Sequence, residues 1–313
     1  MPADRRPDVT AVIPTHNRWH LLPLALRSAL GQEDVALEVI VVDDGSEAPH
    51  ETLAVEEENV RRIRHETPRG VAEARNTGIA HARGEWVAFL DDDDVWAPAY
   101  LRTLLAAARA VGADFAYSGA VEVDHRFEVM RIPLTPEPGE LTQLLLRHNA
   151  VPAAASNTFV RTELMRRLGG FDPALRLLED WDLWIRLALS GRGAMSPEPL
   201  VGHMVHSGSI QVGDPEKLLP AFEYVAAKHR AAARRHGSAP HGLAFSRYVA
   251  RYKWRGGEKP AALRILIRGV FKYGSARGLW RGLRSLVRGE VSRARDEGLT
   301  APTYEPSWLA LYR

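Results

Sequence analysis

Three clusters of polar side chains follow three short apolar runs near the start of the chain. They read PTHNR at 14–18, DDGS at 43–46 and DDDD at 91–94. Four adjacent aspartates repel one another, so either some of them stay protonated or a cation neutralises them. Carboxylate oxygens suit hard divalent ions such as Mg²⁺ or Mn²⁺. The run therefore indicates a metal site, and the alternative is a solvated acidic loop that caps the next helix.

The elements that position these clusters alternate between strand and helix patterns. Apolar runs predict strands at 9–13, 38–42, 60–64, 85–90 and 114–118, and helical spacing predicts helices at 19–30, 71–82 and 99–111. This alternation is typical of βαβ units and a mostly parallel sheet. Ligands of such sheets bind beyond the carboxyl ends of the strands. We therefore expect the three clusters to line one acidic, hydroxyl-bearing pocket.

Two further charged groups suit the same pocket. Arg69 and Arg75 carry charge appropriate to a diphosphate, although exposed helix arginines are the alternative. Glu179 and Asp180 begin a predicted helix that ends at Gly191. Carboxylates at this end of a helix are stabilised by its dipole, so capping explains the pair as well as catalysis does.

Composition restricts the class of protein. The chain has 313 residues, of which 45% are apolar and 26% are charged, as in globular proteins. Cysteine is absent, which excludes disulfides, thiolate metal sites and a cysteine nucleophile. No apolar run reaches the ~18 residues of a membrane span, and the polar start predicts no signal peptide. We expect a soluble, cytoplasmic protein.

Charge divides the chain into two parts. Residues 1–216 carry 21 basic and 33 acidic side chains, whereas residues 217–313 carry 20 and 6. We therefore predict one domain at 1–216 and a basic, mainly helical extension at 217–313. The extension, with helices predicted at 218–235, 243–254, 260–273 and 279–288, either contacts an anionic membrane surface, packs on the acidic half or binds a second subunit.

Five motifs occur in a fixed order: VIPTHNR, VVDDGS, ARNTGI, FLDDDD and EDWDLW. Over about residues 9–209 this order resembles family 2 glycosyltransferases. The resemblance implies the GT-A fold, an α/β, Rossmann-like, mostly parallel sheet flanked by helices, here with a C-terminal helical extension. It also implies that residues 1–216 are the nucleotide-sugar-binding and catalytic domain. The reaction it implies is an inverting transfer of a sugar from a nucleotide-diphosphate sugar to a hydroxyl acceptor, with Mn²⁺ or Mg²⁺ as cofactor.

The resemblance also implies roles for individual residues. Asp180 matches the catalytic base, Asp93 the metal ligand and Asp91 the residue near the ribose. A register one residue later, with Asp92 and Asp94 in the latter two roles, is the alternative. His206 matches a second group able to reach the metal. The remaining expected substrate contacts are Pro14, Thr15, Asn17, Arg18, Asp43, Asp44, Arg75, Asp92, Glu179 and Trp181.

Several alternatives stay open at this point. Trp181 and Trp184 either stack on a sugar or pack in the core. His16 stands where the family often has tyrosine. A sugar-phosphate nucleotidylyltransferase is an alternative, although its glycine-rich loop and following lysine are missing. A non-catalytic nucleotide-sugar-binding protein is another.

We expect the acceptor to be a glycan, a lipid-linked glycan or a small natural product. We expect no nucleic acid partner, because the acidic half repels phosphates. A location at the inner membrane face is also compatible.

Overall fold

A computed structural model describes residues 6–47, 59–205, 215–273 and 305–313. The described residues divide into two compact units. The first comprises 6–142, 149–205 and 305–313, and the second comprises 143–148 and 215–273. Residues of the predicted 217–313 extension therefore occur in both units.

The first unit is built on a mixed sheet, which has nine strands among the described residues. These are β1 Val9–Thr15, β2 Leu37–Asp43, β3 Val60–Arg64, β4 Trp86–Phe89, β5 Val95–Trp96, β6 Phe115–Val123, β7 Val129–Arg131, β8 Phe159–Arg161 and β9 Gly193–Met204. The order is β3-β2-β1-β4-β8-β6-β9-β5, with β7 paired to β6. Strands β1 to β4 form a parallel half, and β6 pairs with β9 in parallel. The remaining pairings are antiparallel.

Helices cover the sheet of the first unit. They are α1 Leu22–Leu30, α2 Val71–His81, α3 Tyr100–Val111, α5 Thr162–Arg167 and α6 Glu179–Ser190, together with α4 Pro138–Leu145, whose residues 143–145 belong to the second unit. Strands β1 and β2, the middle strands of the parallel half, are buried along their whole length, which their continuous apolar sequence predicts. Helix α2 approaches β1 closely, because a Cβ on Gly78 would lie 2.3 Å from Val12 Cγ1. The predicted α/β class is confirmed.

Strand register explains why the polar clusters meet. Strand β1 pairs with β2 from Val9↔Leu37 to Thr15↔Asp43, and with β4 from Val9↔Trp86 to Val12↔Phe89. Because all three strands are parallel, the residues after each strand emerge at the same edge of the sheet.

Strand β9 contains two prolines, which sheets accommodate mainly at edges and bulges. Pro197 and Pro199 both lie inside this strand. The register against β6 shifts from Ser118↔Ser196 to Gly119↔Pro199, which leaves residues 197 and 198 in a bulge where proline is tolerated. Gly119 permits the bulge, because a Cβ there would lie 2.8 Å from the carbonyl oxygen of Pro197.

The second unit is helical in its described residues: α7 Pro215–Lys228, α8 Arg230–Arg235, α9 Gly242–Arg255 and α10 Lys259–Tyr273. Helices α9 and α10 meet where Gly269 faces Ser246. The predicted helix at 218–235 is divided in two, and the one predicted at 279–288 lies outside the described residues. No helix in the described ranges is long and apolar enough to cross a membrane.

Candidate active site

The clusters after β1 and β4 contact each other directly. The hydroxyl of Thr15 donates to Asp92 Oδ2 at 2.7 Å. Arg18 Nη1 lies 2.9 Å from Asp93 Oδ2 and 3.3 Å from Asp92 Oδ1. Pro14 is buried within β1, next to these groups in sequence. The loop after β1 therefore supplies a hydroxyl and a cation to the acidic run.

The clusters after β1 and β2 are joined as well. Asn17 adopts a left-handed conformation, with φ of 55°, which asparagine tolerates better than most residues. Its backbone N–H donates to Ser46 Oγ at 2.9 Å, and its side-chain oxygen accepts from the N–H of Glu47 at 2.9 Å. His16 Nδ1 lies 2.8 Å from the carbonyl oxygen of Asp44. The three predicted clusters thus form one continuous surface at the edge of the sheet.

Asp44 fixes the backbone that leads into α2. Its carboxylate accepts hydrogen bonds from the backbone N–H groups of Arg69 at 2.8 Å and Gly70 at 2.7 Å, and His65 Nδ1 lies 2.7 Å away. Burial alone would raise the pKa of Asp44, but the hydrogen bonds from Arg69, His65 and Gly70 hold it below its ordinary value. Glycine suits position 70 because its φ is +98°, a conformation that residues with a side chain rarely adopt. His65 was not predicted, because a single histidine carries no pattern.

Asp43 is buried beside Asp44. Its Oδ1 accepts from the backbone N–H of Ser46 at 3.0 Å and from the Ser46 hydroxyl at 2.6 Å. Arg64 Nη1, on β3, lies 3.1 Å from Oδ2. This network holds the loop after β2 in a tight turn at the edge of the sheet.

The four aspartates at 91–94 alternate in exposure. Asp92 and Asp94 are 5% and 1% exposed, whereas Asp91 and Asp93 are partly exposed. Burial, followed by the charge of Asp93, raises the pKa of Asp92 to about 7, although Thr15 and Arg18 oppose the shift. The alternation turns Asp91 and Asp93 toward the open side of the run.

Asp94 has structural partners. Its carboxylate accepts from the backbone N–H of Met204 at 2.9 Å and from the Ser156 hydroxyl at 2.5 Å, and His203 Nδ1 lies 3.1 Å away. Burial lowers the pKa of His203, but the charge of Asp94 outweighs it, and the pKa is raised to about 9. Asp94 therefore ties the end of β9 to the loop that follows β4.

Arg75 joins two acidic groups from different elements. It is 2% exposed, and its guanidinium donates to Glu179 Oε1 at 2.7 Å and to Asp91 Oδ1 at 2.5 Å. Burial opposes its charge, but the two carboxylates raise its pKa above the ordinary arginine value. The guanidinium also lies over the Phe171 ring, 5.0 Å from the centroid. Arg75 thus holds the end of β4 against the start of α6.

Asp180 is the second residue of α6 and is 8% exposed. Its Oδ1 accepts from the backbone N–H of Trp181 at 2.7 Å, and its Oδ2 accepts from Asn149 Nδ2 at 3.1 Å. Burial, followed by the charge of Glu179, raises the pKa of Asp180 to about 7, and Arg75 opposes this shift. A carboxyl group with this pKa can accept a proton near neutral pH.

The remaining predicted site residues lie elsewhere or outside the described chain. Trp181 is 2% exposed, and Trp184 packs edge-on against Phe115 and Tyr117, so both side chains belong to the core. His206 lies outside the described residues. Within the ranges that are described, no group of three or more histidine, aspartate or glutamate side chains forms a metal cluster.

Comparison with known proteins identifies relatives. The family model described as "Glycosyl transferase family 2" matches residues 10–169. The succinoglycan biosynthesis protein ExoO of Rhizobium meliloti is 36% identical over 66% of this chain and 63% of its own length. The pre-mycofactocin glycosyltransferase of Mycobacterium tuberculosis is 34% identical over 63% of this chain and 42% of its own. The chain thus spans less than two thirds of these relatives.

Solved structures share the fold. The crystal structure of S. aureus TarS superposes with a TM-score of 0.57 at 19% identity, covering 91% of this chain and 50% of TarS. A structure of TarS 1–349 in complex with UDP-GlcNAc superposes with a TM-score of 0.54 at 18% identity. The match covers 92% of this chain and 83% of the TarS chain. The predicted GT-A fold is therefore confirmed.

Proposed function

The chain belongs to glycosyltransferase family 2, and we propose that it is an inverting, divalent-metal-dependent enzyme with Asp180 as general base. It transfers a sugar from a nucleotide-diphosphate sugar to a hydroxyl acceptor. The observation that carries this proposal is the Arg75 bridge. Through Asp91 and Glu179, Arg75 links the acidic run at the edge of the sheet to the helix that presents Asp180.

Donor and metal are assigned to the open side of the acidic run. Asp93 is a partly exposed carboxylate beside the Arg18 cation, and oxygen ligands of this kind fit Mg²⁺ or Mn²⁺. Such ions take one or two carboxylates and complete their shell with substrate phosphates, which agrees with the lack of a larger cluster in the described ranges. When bound, the ion neutralises charge on the leaving nucleoside diphosphate. We assign Arg18 to the same anion and Asp91 to the ribose.

Asp93 and Asp94 should respond differently to substitution. We expect Asp93→Ala to weaken metal-dependent binding of the donor by at least about tenfold, because it removes the ligand. We expect Asp94→Ala to lower the free energy of unfolding by about 1–3 kcal/mol, because it leaves the Met204 N–H and the Ser156 hydroxyl without their acceptor. Calorimetric titration and denaturant unfolding of both variants check this. Equal metal-dependent affinities in the two variants would contradict the assignment of Asp93.

Asp180 is assigned the role of removing the proton from the acceptor hydroxyl. In an inverting reaction a single carboxylate deprotonates the attacking hydroxyl while the sugar passes through an oxocarbenium-like state. The raised pKa of Asp180 supports this role, because a carboxylate that binds protons strongly is a better base. The N–H of Trp181 and the amide of Asn149 each occupy one lone pair of the carboxylate.

A uridine nucleotide is the proposed donor. The TarS structures include complexes with UDP and UDP-GlcNAc, and the relative WfgD of Escherichia coli is named as a UDP-Glc-dependent glucosyltransferase acting on a diphosphoundecaprenol-linked sugar. Calorimetric titration with UDP, GDP and UTP, with and without Mn²⁺, tests the proposal. We expect UDP to bind and Mn²⁺ to strengthen its binding. Binding of UTP, without binding of UDP or GDP, would indicate a nucleotidylyltransferase. Failure of all three nucleotides to bind would refute the assignment.

A lipid-linked glycan is the proposed acceptor, reached at the inner membrane face through the second unit. Residues 215–273 carry 13 basic and 3 acidic side chains. Arg264, Ile267, Arg268 and Phe271 share one face of α10 by helical spacing, and Ile267 and Phe271 are 44% and 88% exposed. Cations interleaved with exposed apolar side chains are typical of helices that lie on anionic bilayers.

The apolar part of this face is open to a direct test. We expect Ile267→Ser with Phe271→Ser to weaken cosedimentation with phosphatidylglycerol vesicles by about tenfold or more, since both apolar side chains leave the bilayer. Leu134→Ser, at a residue 72% exposed in the first unit, is the control and should bind as wild type does. Unchanged binding of the double variant would contradict the proposal. Loss of self-association, without any vesicle binding by the wild type, would indicate the homodimer instead.

A further inference from the structure

Asn149 lies outside all five sequence motifs, but it contacts the proposed base. We propose that Asn149 is a positioning residue, whose side-chain amide holds the Asp180 carboxylate in the orientation that receives the acceptor's proton. This inference rests on the proposed role of Asp180. It adds a residue that sequence reasoning missed, because an asparagine in an irregular loop carries no spacing signal.

The contacts of Asp180 fix the plane of its carboxylate. Asn149 Nδ2 donates to Oδ2 at 3.1 Å, and the backbone N–H of Trp181 donates to Oδ1 at 2.7 Å. A carboxylate otherwise rotates broadly about its last torsion angle. The backbone N–H alone restrains one oxygen, whereas the amide restrains the other, so both are needed to hold the group in one orientation.

The side-chain oxygen of Asn149 makes no hydrogen bond that would stabilise the fold. Its Oδ1 is buried and has no hydrogen-bond partner among the described residues. A buried acceptor left in this way costs stability. Asn157, a few residues along the chain, shows the opposite arrangement: its Nδ2 donates to the carbonyl oxygens of Ser118 and Pro152, and its Oδ1 accepts from the Ser118 N–H. Asn157 therefore stabilises the loop, whereas Asn149 serves Asp180.

The loop that carries Asn149 is also tied to the helix that carries Asp180. Ala153 and Ala154 both have positive φ, 54° and 40°, a strained conformation for alanine. The carbonyl oxygen of Ala154 accepts from Trp184 Nε1 on α6 at 3.2 Å. Strain of this kind persists only where the surroundings enforce it. The contact to α6 keeps the loop, and with it the amide of Asn149, aligned with the start of that helix.

The charges that face Asp180 make the role of Asn149 measurable. Glu179 on α6 and Asp91 after β4 disfavour the carboxylate form, and Arg75 on α2 favours it. The hydrogen bond from Asn149 favours the carboxylate as well, because an N–H donor stabilises the charged form. Removing this donor leaves Asp180 protonated to a higher pH.

The test is the pH dependence of kcat/KM. We expect Asn149→Ala to move the acidic limb upward by about one pH unit and to lower kcat, with the KM for the donor unchanged. Asn149→Asp, which keeps the size of the side chain, should move the limb at least as far, because a second carboxylate then faces Asp180. Asn157→Ala is the control. This variant should melt at a lower temperature than the wild type, while the acidic limb of its kcat/KM profile stays at the wild-type pH.

Two outcomes would overturn the inference. One is an acidic limb that stays in place in both Asn149 variants, and the other is a limb that moves equally in Asn157→Ala. The parallel measurement on Asp180→Asn keeps this test separate from the proposed function. If Asp180→Asn retains full activity, the base is wrongly assigned; if it is inactive while the limb of the Asn149 variants stays in place, only the role of Asn149 fails.

Discussion

Replacement of Asp180 by asparagine is expected to slow sugar transfer by about 10²–10⁴-fold, because the amide cannot accept the acceptor's proton. Asparagine has the same shape and keeps an oxygen for the amide of Asn149. Donor binding should therefore stay near the wild-type value. Nucleoside diphosphate release and calorimetric titration of the donor measure the two properties, and transfer at the wild-type rate would show that Asp180 is not the base.

The same substitution should stabilise the protein. The pKa of Asp180 is about 7 in the folded protein, against 3.8 for an unperturbed aspartate, so the folded state binds more protons than the unfolded state between these values. The free energy of unfolding therefore falls as the pH rises from about 4 to 7, and the whole decrease is present above pH 7. We expect Asp180→Asn to melt higher than the wild type at pH 8, with the difference closing toward pH 4. A lower melting temperature at pH 8 would contradict the burial argument.

Replacement of Arg75 by methionine is expected to lower the free energy of unfolding by about 3–5 kcal/mol at pH 8, because the buried carboxylate of Glu179 and the partly exposed carboxylate of Asp91 lose their cation. Arg75→Lys should recover only part of this, since one ammonium cannot reproduce the forked geometry. Urea unfolding of both variants at pH 8 measures these losses.

Arg161 provides a matched control for this prediction. It also pairs with a carboxylate, Glu85 at 2.6 Å, and lies 4.6 Å over the Trp86 ring, but its side chain is 37% exposed. We expect Arg161→Met to cost less than about 1 kcal/mol, as exposed ion pairs generally do. Equal losses for the two variants would show that burial does not decide the energy of the Arg75 bridge.

The parallel half of the fold follows from sequence, and the other half does not. Strands β1 and β2 were predicted to within two residues at either end, because a buried parallel strand is apolar throughout. Strands β5 and β7, with two and three residues, are too short to show any periodicity. Strand β9 contains two prolines, and only its pairing with β6, on both sides of the bulge at residues 197 and 198, makes it a strand.

The site shows a similar division. The rule that ligands bind at strand ends brought together the three polar clusters, because it depends only on chain direction. Which aspartates of the run at 91–94 are buried depends on partners far along the chain, Ser156 and Met204, and no local pattern encodes them. The Arg75 bridge is similar, since its two carboxylates lie 16 and 104 residues away. Local spacing predicts the direction of a side chain, but partners this distant are set by the tertiary fold.

The most direct test of the central claim needs no knowledge of the acceptor. Water can replace the acceptor hydroxyl, and ¹H NMR can then identify the anomer of the sugar first released from an α-linked UDP-sugar with Mn²⁺, before mutarotation. A single displacement assisted by Asp180 predicts that the β-anomer appears first, together with one UDP, and that Asp180→Asn releases neither. First appearance of the α-anomer, or equal release by the variant, would contradict the account.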